Sequence, residues 1–376
     1  MANSWRISAL ADRHRALGSK LEDWNGMGTA WTYDADLADH HEAIRTRAGL
    51  MDVSGLKKVH YVGPHAESLL DYACTRDLSK VYPGKSVYAT FLNEEGKFVD
   101  DGVIYRTGPN SFMVVHGAGT GYECLTRGAQ GKQVAVLFDD DLHNLSLQGP
   151  LAVDFLAEHV PGIRDLNYFH HIQTRLFGRP VTISRTGYTG ERGYEIFCKA
   201  ADAPLIWDTI LEQGKSAGIV ACAFTALDWL RVESYLLFYP YDNSEMYPFA
   251  NERPGDSLWE LGLDFTVSPG KQGFRGAEEH YRLQGRERFK IFGVQLDSQQ
   301  AAASGDTLWR DGHQVGVITC AMYSRLTQRS VAVARLAVDS AVAGTPLEVR
   351  GSLKAAATAQ PMPFDDPSKS KRTAKG

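Results

Sequence analysis

The sequence predicts an α+β fold that ends in a separate small all-β unit. Two observations lead there. Segments of helical and of strand periodicity are mixed along the first 285 or so residues, without the regular strand–helix–strand repeat of a parallel sheet. From about residue 288 the pattern changes to short strands broken by turns. The expected domains are therefore 1–285, a mixed region, and 286–364, an all-β domain. Residues 365–376 follow as a disordered tail, with Lys369, Lys371, Arg372 and Lys375 among Ser, Thr and Ala.

The elements follow in order. Residues 5–22 carry a mild helical pattern through Ile7, Leu10, Leu17 and Leu21, and a loop rich in Gly and aromatics runs from Trp24 to Tyr33. Asp39 to Leu50 reads as a helix ending at Gly49. Lys58–Val62 reads as a strand, and Pro64–Cys74 sets Ala66, Leu69, Leu70 and Ala73 on one helical face. Ser86–Leu92, Lys97–Arg106 and Ser111–His116 are strands, with Gly96 a positive-φ turn position. Thr120–Arg127 is helical, and Asn144–Gln148 is a strand with Pro150 opening a helix. A strand pair turns at Gly178, and the helices Asp202–Gly218 and Ala223–Leu237 follow. After residue 250 the chain loosens before Gly270–Gly276 leads into another helix. The all-β region holds strands near 290–296, 307–310, 316–320, 331–336 and 347–349.

Composition narrows the function. Of 376 residues, 43% are hydrophobic and 23% charged, as in soluble globular proteins. The net charge of −5 provides no basic field, so no nucleic-acid partner is expected. No apolar run is long enough to span a bilayer and no signal-peptide core opens the chain, so the expected location is cytoplasmic. Five scattered cysteines without Cys-x-x-Cys spacing read as reduced thiols; no metal is expected.

The most informative stretch is Ile183–Cys198, with Gly187, Gly190 and Gly193 inside seven residues. Gly serves where φ must be positive or where a ligand approaches the backbone. Tyr194, Ile196 and Cys198 share one strand face, which leaves Glu195 on the other beside Phe197. A carboxylate on such a strand needs partners. It can pair internally with Arg185 or Arg192, or accept two adjacent N–H donors from a planar group such as the aminopyrimidinone edge of a pterin. A second carboxylate pair, Asp100-Asp101, lies on a strand whose alternation lets only one face a ligand; a solvated acidic turn is the plainer reading. Tyr235 to Phe249 holds six aromatics in fifteen residues, enough either to enclose a methylated cation or to stack on an aromatic ether, or simply to pack between lobes.

Taken together, Met51-Asp-Val-Ser54, Cys74-Thr-Arg-Asp-Leu78, Asn93–Gly96, Val99-Asp-Asp101, Leu147-Gln-Gly-Pro150, Ser184–Gly190 through Glu195, Ala226–Glu233, Gly316–Thr319 and Met362-Pro-Phe364 resemble the aminomethyltransferase (glycine-cleavage T-protein) superfamily, in its order and over nearly the whole chain. The resemblance implies a three-lobed cloverleaf, two interleaved α+β lobes and a C-terminal β-barrel around a tetrahydrofolate. It implies Glu195 as the pterin anchor, Tyr88, Tyr105 and Tyr188 around the cofactor, and Asp101 as the catalytic carboxylate.

The chain departs from the glycine-cleavage enzyme around the implied pocket. Leu227 stands where that family has a folate-contacting arginine, His116 where it has Asn, and Thr319-Cys320-Ala321 where it has Thr-Ser-Gly. The scaffold looks kept and the substrate side rebuilt, closer to the demethylase-like branch. The expected function is a tetrahydrofolate-dependent demethylase, with folate accepting a methyl from a small donor, either an onium compound or a methoxylated aromatic acid. His116, as a proton donor or carboxylate ligand, with Tyr235 and Tyr247, is the expected donor site; for His116 a structural role is equally open. Aminomethyl transfer is the alternative, although a lipoyl carrier is not the expected partner. A non-catalytic folate-binding accessory is the alternative of another class.

Overall fold

The computed structural model describes residues 5–248 and 253–374. Three sheets carry the fold. The first runs in the spatial order His171–Leu176, Arg179–Ser184, Gly193–Lys199, Leu142–Gln148, Ala48–Asp52, Ile219–Ala221, antiparallel except for its last pair. The second runs Ser86–Leu92, Phe98–Gly108, Ser111–His116, Lys57–Val62, Ala135–Phe138, antiparallel throughout. The third closes into a six-stranded barrel, starting at Phe289–Leu296 and closing through Lys354–Gln360. The class is α+β with a closed C-terminal barrel, as the sequence predicts. No helix among the described residues is long and apolar enough to cross a membrane.

Each of the first two sheets has one face covered by helices. Tyr194, Ile196 and Cys198 pack with Ile206, Trp207 and Ile210 of the Ala203–Gln213 helix. Val59, Tyr61, Phe112 and Val114 pack with Leu69 and Leu70 of the Ala66–Ala73 helix. The other faces turn toward each other and meet at Tyr105, Met113, Val115 and Phe197. Strand alternation puts Glu195 on this inner face in one sheet, and Asp101 and Tyr105 on it in the other.

Three local expectations change, and one strand that the sequence left unassigned is added. The 5–22 region holds a helix only at Ala11–Ala16, because the chain on either side pairs into a small three-stranded sheet. Asp39–Leu50 is not one helix. The helix is Leu37–Thr46, capped by Asp36, and Gly49 lies in the Ala48–Asp52 strand, where a Cβ would stand 2.5 Å from both Cys222 Sγ and Ile44. The strand Lys354–Gln360 carries four alanines, a helix-forming composition, yet pairs on both edges to close the barrel. Residues 365–374, expected as a disordered tail, lie against the glycine-rich loop, with a short helix at Ser370–Thr373.

The glycine-rich loop is shaped by its own neighbours. A Cβ on Gly187 or Gly193 would stand 2.1 Å from Gln148 Oε1, so both glycines make room for that side chain. Gln148 then donates to the Thr186 carbonyl and accepts from Thr189. Only Gly190 of the three takes a positive φ, at 81°, and it packs against Ser234.

A buried ionic knot ties these parts together. Glu233, near the end of the Phe224–Ser234 helix, accepts from Arg45 at 2.7 Å and pairs with His41 at 2.8 Å, both on the Leu37–Thr46 helix. Its other oxygen accepts from Ser324 of the barrel at 2.6 Å. Arg45 also reaches Glu191 and the Thr189 carbonyl in the glycine-rich loop. Burial works to raise the Glu233 pKa, but the His41 hydrogen bond and the Arg45 charge outweigh it and hold the group below its ordinary value. Such a knot stabilises only when complete, since a remaining half is an unpaired buried charge. Glu233→Ala is expected to cost about 3–5 kcal/mol in urea unfolding at pH 7. Because the folded pKa is depressed, the gap to wild type is present above pH 4.5 and shrinks as pH falls below it.

Candidate one-carbon transfer site

The strand Phe98–Gly108 separates two aspartates by alternation. Asp100 is 1% exposed and points away from the inner face. It accepts from the Gly121 amide at 2.9 Å and from His116 Nδ1 at 2.8 Å, and Gly119 and Gly121 leave space for its carboxylate. Asp101 faces inward, half-buried, and accepts from the Tyr88 hydroxyl at 2.6 Å. Burial is the main reason its pKa is pushed up to about 7; the Tyr88 hydrogen bond opposes the shift and the charge of Asp100 adds to it. Tyr188 and Tyr239 lie near enough to feel the Asp101 charge, and Tyr88 also feels Tyr188 and Tyr235. Burial pushes the phenols of Tyr88, Tyr105 and Tyr188 well up, so they remain neutral donors.

Glu195 is 9% exposed on the facing sheet. Its Oε1 accepts from Asn144 Nδ2 at 2.8 Å, and Oε2 accepts from the Thr186 hydroxyl and, at 3.5 Å, from Tyr105. Neither Arg185 nor Arg192 bonds to it among the described residues: Arg185 donates to the Leu166 carbonyl and Arg192 to the Arg164 carbonyl and Tyr194 hydroxyl. Burial raises the Glu195 pKa, opposed by those three hydrogen bonds. Beside it, Asn144 Oδ1 is buried with no donor. This donor-poor cluster of acceptors fits the N–H-rich edge of a pterin.

Of the residues singled out from sequence, Tyr88 joins Asp101 and Tyr105 joins Glu195. Tyr188 closes the group from the glycine-rich loop, donating to the Leu236 and Leu237 carbonyls. Tyr235 caps its helix at positive φ and donates to the Leu261 carbonyl at 2.6 Å. His116 is not brought to Asp101. It sits opposite Gly102 in the sheet, and directly paired residues share a face, so it projects on the Asp100 side. Tyr247 is not brought there either; its ring lies against Gly305 of the barrel and its carbonyl accepts from Arg335. The remaining aromatics largely pack on one another: Phe238 against Tyr241 at 4.7 Å and beneath the Arg231 guanidinium at 5.5 Å, Tyr239 against Phe98 at 5.4 Å. Phe249 lies outside the described residues. Leu227, in place of an arginine, is 5% exposed in an apolar cluster with Trp24 and Phe224, against which Tyr188 and Phe238 pack. Sequence reasoning missed Asn144 and Thr186. No signal in the sequence marks Asn144, whose place beside Glu195 follows from the pairing of Leu142–Gln148 with Gly193–Lys199.

Comparison with known proteins agrees with this architecture. Residues 10–271 match the family model of the GCVT N-terminal domain, and residues 290–366 that of the glycine cleavage T-protein C-terminal barrel domain. The glycine cleavage system aminomethyltransferase T of Bartonella henselae superposes with a TM-score of 0.86 at 26% identity, over 96% of this chain and 98% of that one. The chain belongs to the glycine-cleavage T-protein family. Within that family it is 80% identical, over the full length of both chains, to a protein of Ectopseudomonas mendocina named heme-dependent oxidative N-demethylase gamma subunit. The trimethylamine-oxide aldolase of Ruegeria pomeroyi is 31% identical over 96% of this chain and 47% of its own length. The aminomethyltransferase of Halalkalibacterium halodurans is 30% identical over 90% and 92% of the two chains. These likenesses put the chain in the demethylase-like branch.

The raised pKa of Asp101 has a stability consequence with a definite sign. A carboxyl whose folded pKa lies above its ordinary 3.8 favours folding most when protonated, and the folded state loses stability as pH rises from about 4 to about 7. Asp101→Asn is therefore expected to raise the Tm, by more at pH 8.5 than at pH 5.5. Thermal unfolding at the two pH values checks this.

Proposed function

We propose that this protein loads a one-carbon unit onto tetrahydrofolate, as a subunit of an assembly that demethylates an N-methylated amine. The observation that carries the reading is the paired arrangement on the inner faces: Glu195 with the donor-free Asn144 Oδ1 on one sheet, Asp101 with Tyr88 on the other. Glu195 and Asn144 would hold the pterin edge, with Thr186 and Tyr105 fixing the carboxylate. Tetrahydrofolate, when bound, supplies the amine nitrogens that take up the one-carbon unit. Asp101 titrates near neutral pH, so it can receive a proton at Oδ1 and return it there. Tyr88 holds Oδ2 and fixes the orientation of the carboxyl.

The 80% identity to an oxidative N-demethylase subunit favours an amine methyl as the carbon source, over a sulfonium or an aromatic ether. Oxidation of an N-methyl group delivers its carbon as formaldehyde. Proton shuttling then matters in both directions, because the carbonyl oxygen must leave as water and both bridged amines must give up a proton. Transfer of an intact methyl from a cationic donor would call on a base alone. The cation-enclosing role of the aromatic segment loses support, since Phe238 already meets Arg231. Aminomethyl transfer stays as the alternative within the family. A non-catalytic folate carrier within such an assembly is the alternative of another class.

The test is tetrahydrofolate binding by calorimetry, followed by product analysis with formaldehyde and, separately, with methylated donors. Glu195→Gln is expected to weaken binding about tenfold, the loss of one charge-assisted contact. Asp101→Asn is expected to keep binding within about threefold while cutting formation of 5,10-methylenetetrahydrofolate about a hundredfold. Appearance of 5-methyltetrahydrofolate instead returns the intact-methyl reading. An Asp101→Asn protein with undiminished turnover sinks the catalytic role, and no binding at all sinks the folate reading.

A further inference from the structure

Among the described residues Arg185 is a cation without a counter-ion. It is 3% exposed, its Nε has no partner, and no carboxylate among the described residues pairs with it. Its guanidinium donates to the Leu166 carbonyl at 3.0 Å, to the Arg372 carbonyl at 3.4 Å, and to the Ala374 carbonyl. Arg192 lies close enough to depress the Arg185 pKa, after burial itself. A buried guanidinium held mainly by carbonyls, beside a second arginine, is poorly compensated and would gain from an anion. Two of those three carbonyls belong to residues 365–374.

That segment lies over both ends of the site. Lys369 stands over the ring of Phe265, which stacks on Tyr88, the donor to Asp101. Arg372 bonds to Tyr168, which also feels Glu195. Between them Asp365, Asp366 and Arg372 line a small cavity together with Gly190 and Ser234. Yet it is held lightly. Its short helix buries no residue, and its main side-chain latch is Lys371, which reaches Glu191 at 3.2 Å and Asp365 at 2.7 Å while 37% exposed. The Lys371 amine stays partly open to water, which screens its pairs, and with no buried residue in the short helix the segment belongs to the low-stability end of the fold. The match to the family's barrel model ends at residue 366, so residues 367–374 lie beyond it.

We propose that Arg185 and residues 365–374 form a gated carboxylate site. In the closed form the carbonyls of Arg372 and Ala374 occupy the guanidinium. When the Lys371 latch opens, the segment lifts, and a carboxylate on the incoming ligand takes their place on Arg185. This rests on the folate reading above, which supplies the carboxylates through the glutamyl tail; the chemistry itself asks only for a carboxylate carried by a ligand whose ring end reaches Glu195.

Two ligands separate the cases: tetrahydrofolate, and 6-methyltetrahydropterin, which has the ring but no carboxylate. The wild type is expected to bind tetrahydrofolate at least tenfold more tightly than the pterin. Arg185→Gln should remove that preference while leaving pterin affinity unchanged. Lys371→Gln, on the surface, should speed tetrahydrofolate association several-fold in stopped flow, and should raise hydrogen exchange of residues 366–374 even without ligand. Equal preference in Arg185→Gln and wild type overturns the carboxylate site. Unchanged association and exchange in Lys371→Gln overturn the gate. Binding of neither ligand to the wild type, with fast exchange in Lys371→Gln, rejects folate while keeping the gate.

Discussion

The Glu233–Arg45 pair is the contact on which the rest of the molecule depends. One carboxylate, nearly sealed from water, collects Arg45, His41 and Ser324, and Arg45 passes the constraint to Glu191 and Thr189. Two helices of the first region, the glycine-rich loop and the barrel are thereby fixed around one charge. The knot works by mutual necessity: each member is costly alone in the interior and acceptable only with the others. A loop of three glycines would otherwise be the loosest part of the chain. Here its path is set from below by Gln148 and from the side by Arg45 and Ser234.

A fixed loop makes two facing sheets into a site. The faces that meet are apolar at Tyr105, Met113, Val115 and Phe197, and polar at their flanks. One flank gathers acceptors around Glu195, and the other a single carboxyl at Asp101. Low solvation pushes both carboxyls up, but by different balances. Glu195 is opposed by three side-chain hydrogen bonds and Asp101 by one side-chain and one backbone hydrogen bond, with the charge of Asp100 behind it. On the proposed reading, the same burial suits one group to holding a ligand edge and the other to proton exchange. Asp100 is the structural half of its pair, and His116 is its partner.

Much of this was legible in the residues. Alternation through Tyr194–Cys198 gave the face of Glu195, and alternation through Asp100–Asp101 gave the separation of the aspartates. The turn at Gly96, with φ of 69°, and the helix face at Ala66, Leu69, Leu70 and Ala73 were equally plain. Other parts were hidden for physical reasons. Lys354–Gln360 went unassigned because its alanines carry no strand pattern of their own, and only the open edges of two neighbouring strands make it a strand. Gly49 mimics a helix end, but its reason is the sulfur of Cys222, 173 residues away in sequence. Ser, Thr and Lys in the last segment suggested disorder, while a buried arginine that donates to two of its carbonyls helps to keep it in place.

The sequence by itself determined most of the strand and helix segments, which of their side chains share a face, and that Asp100 and Asp101 project to opposite sides of their strand. These depend on period and composition, which are local. Only the tertiary structure decided that Asn144 and Thr186 complete the Glu195 cluster, that Asp101 rather than Asp100 is open, and that His116 and Tyr247 stand apart from it. Those outcomes depend on strand register and on how burial shifts charge, and neither quantity exists until distant segments pack.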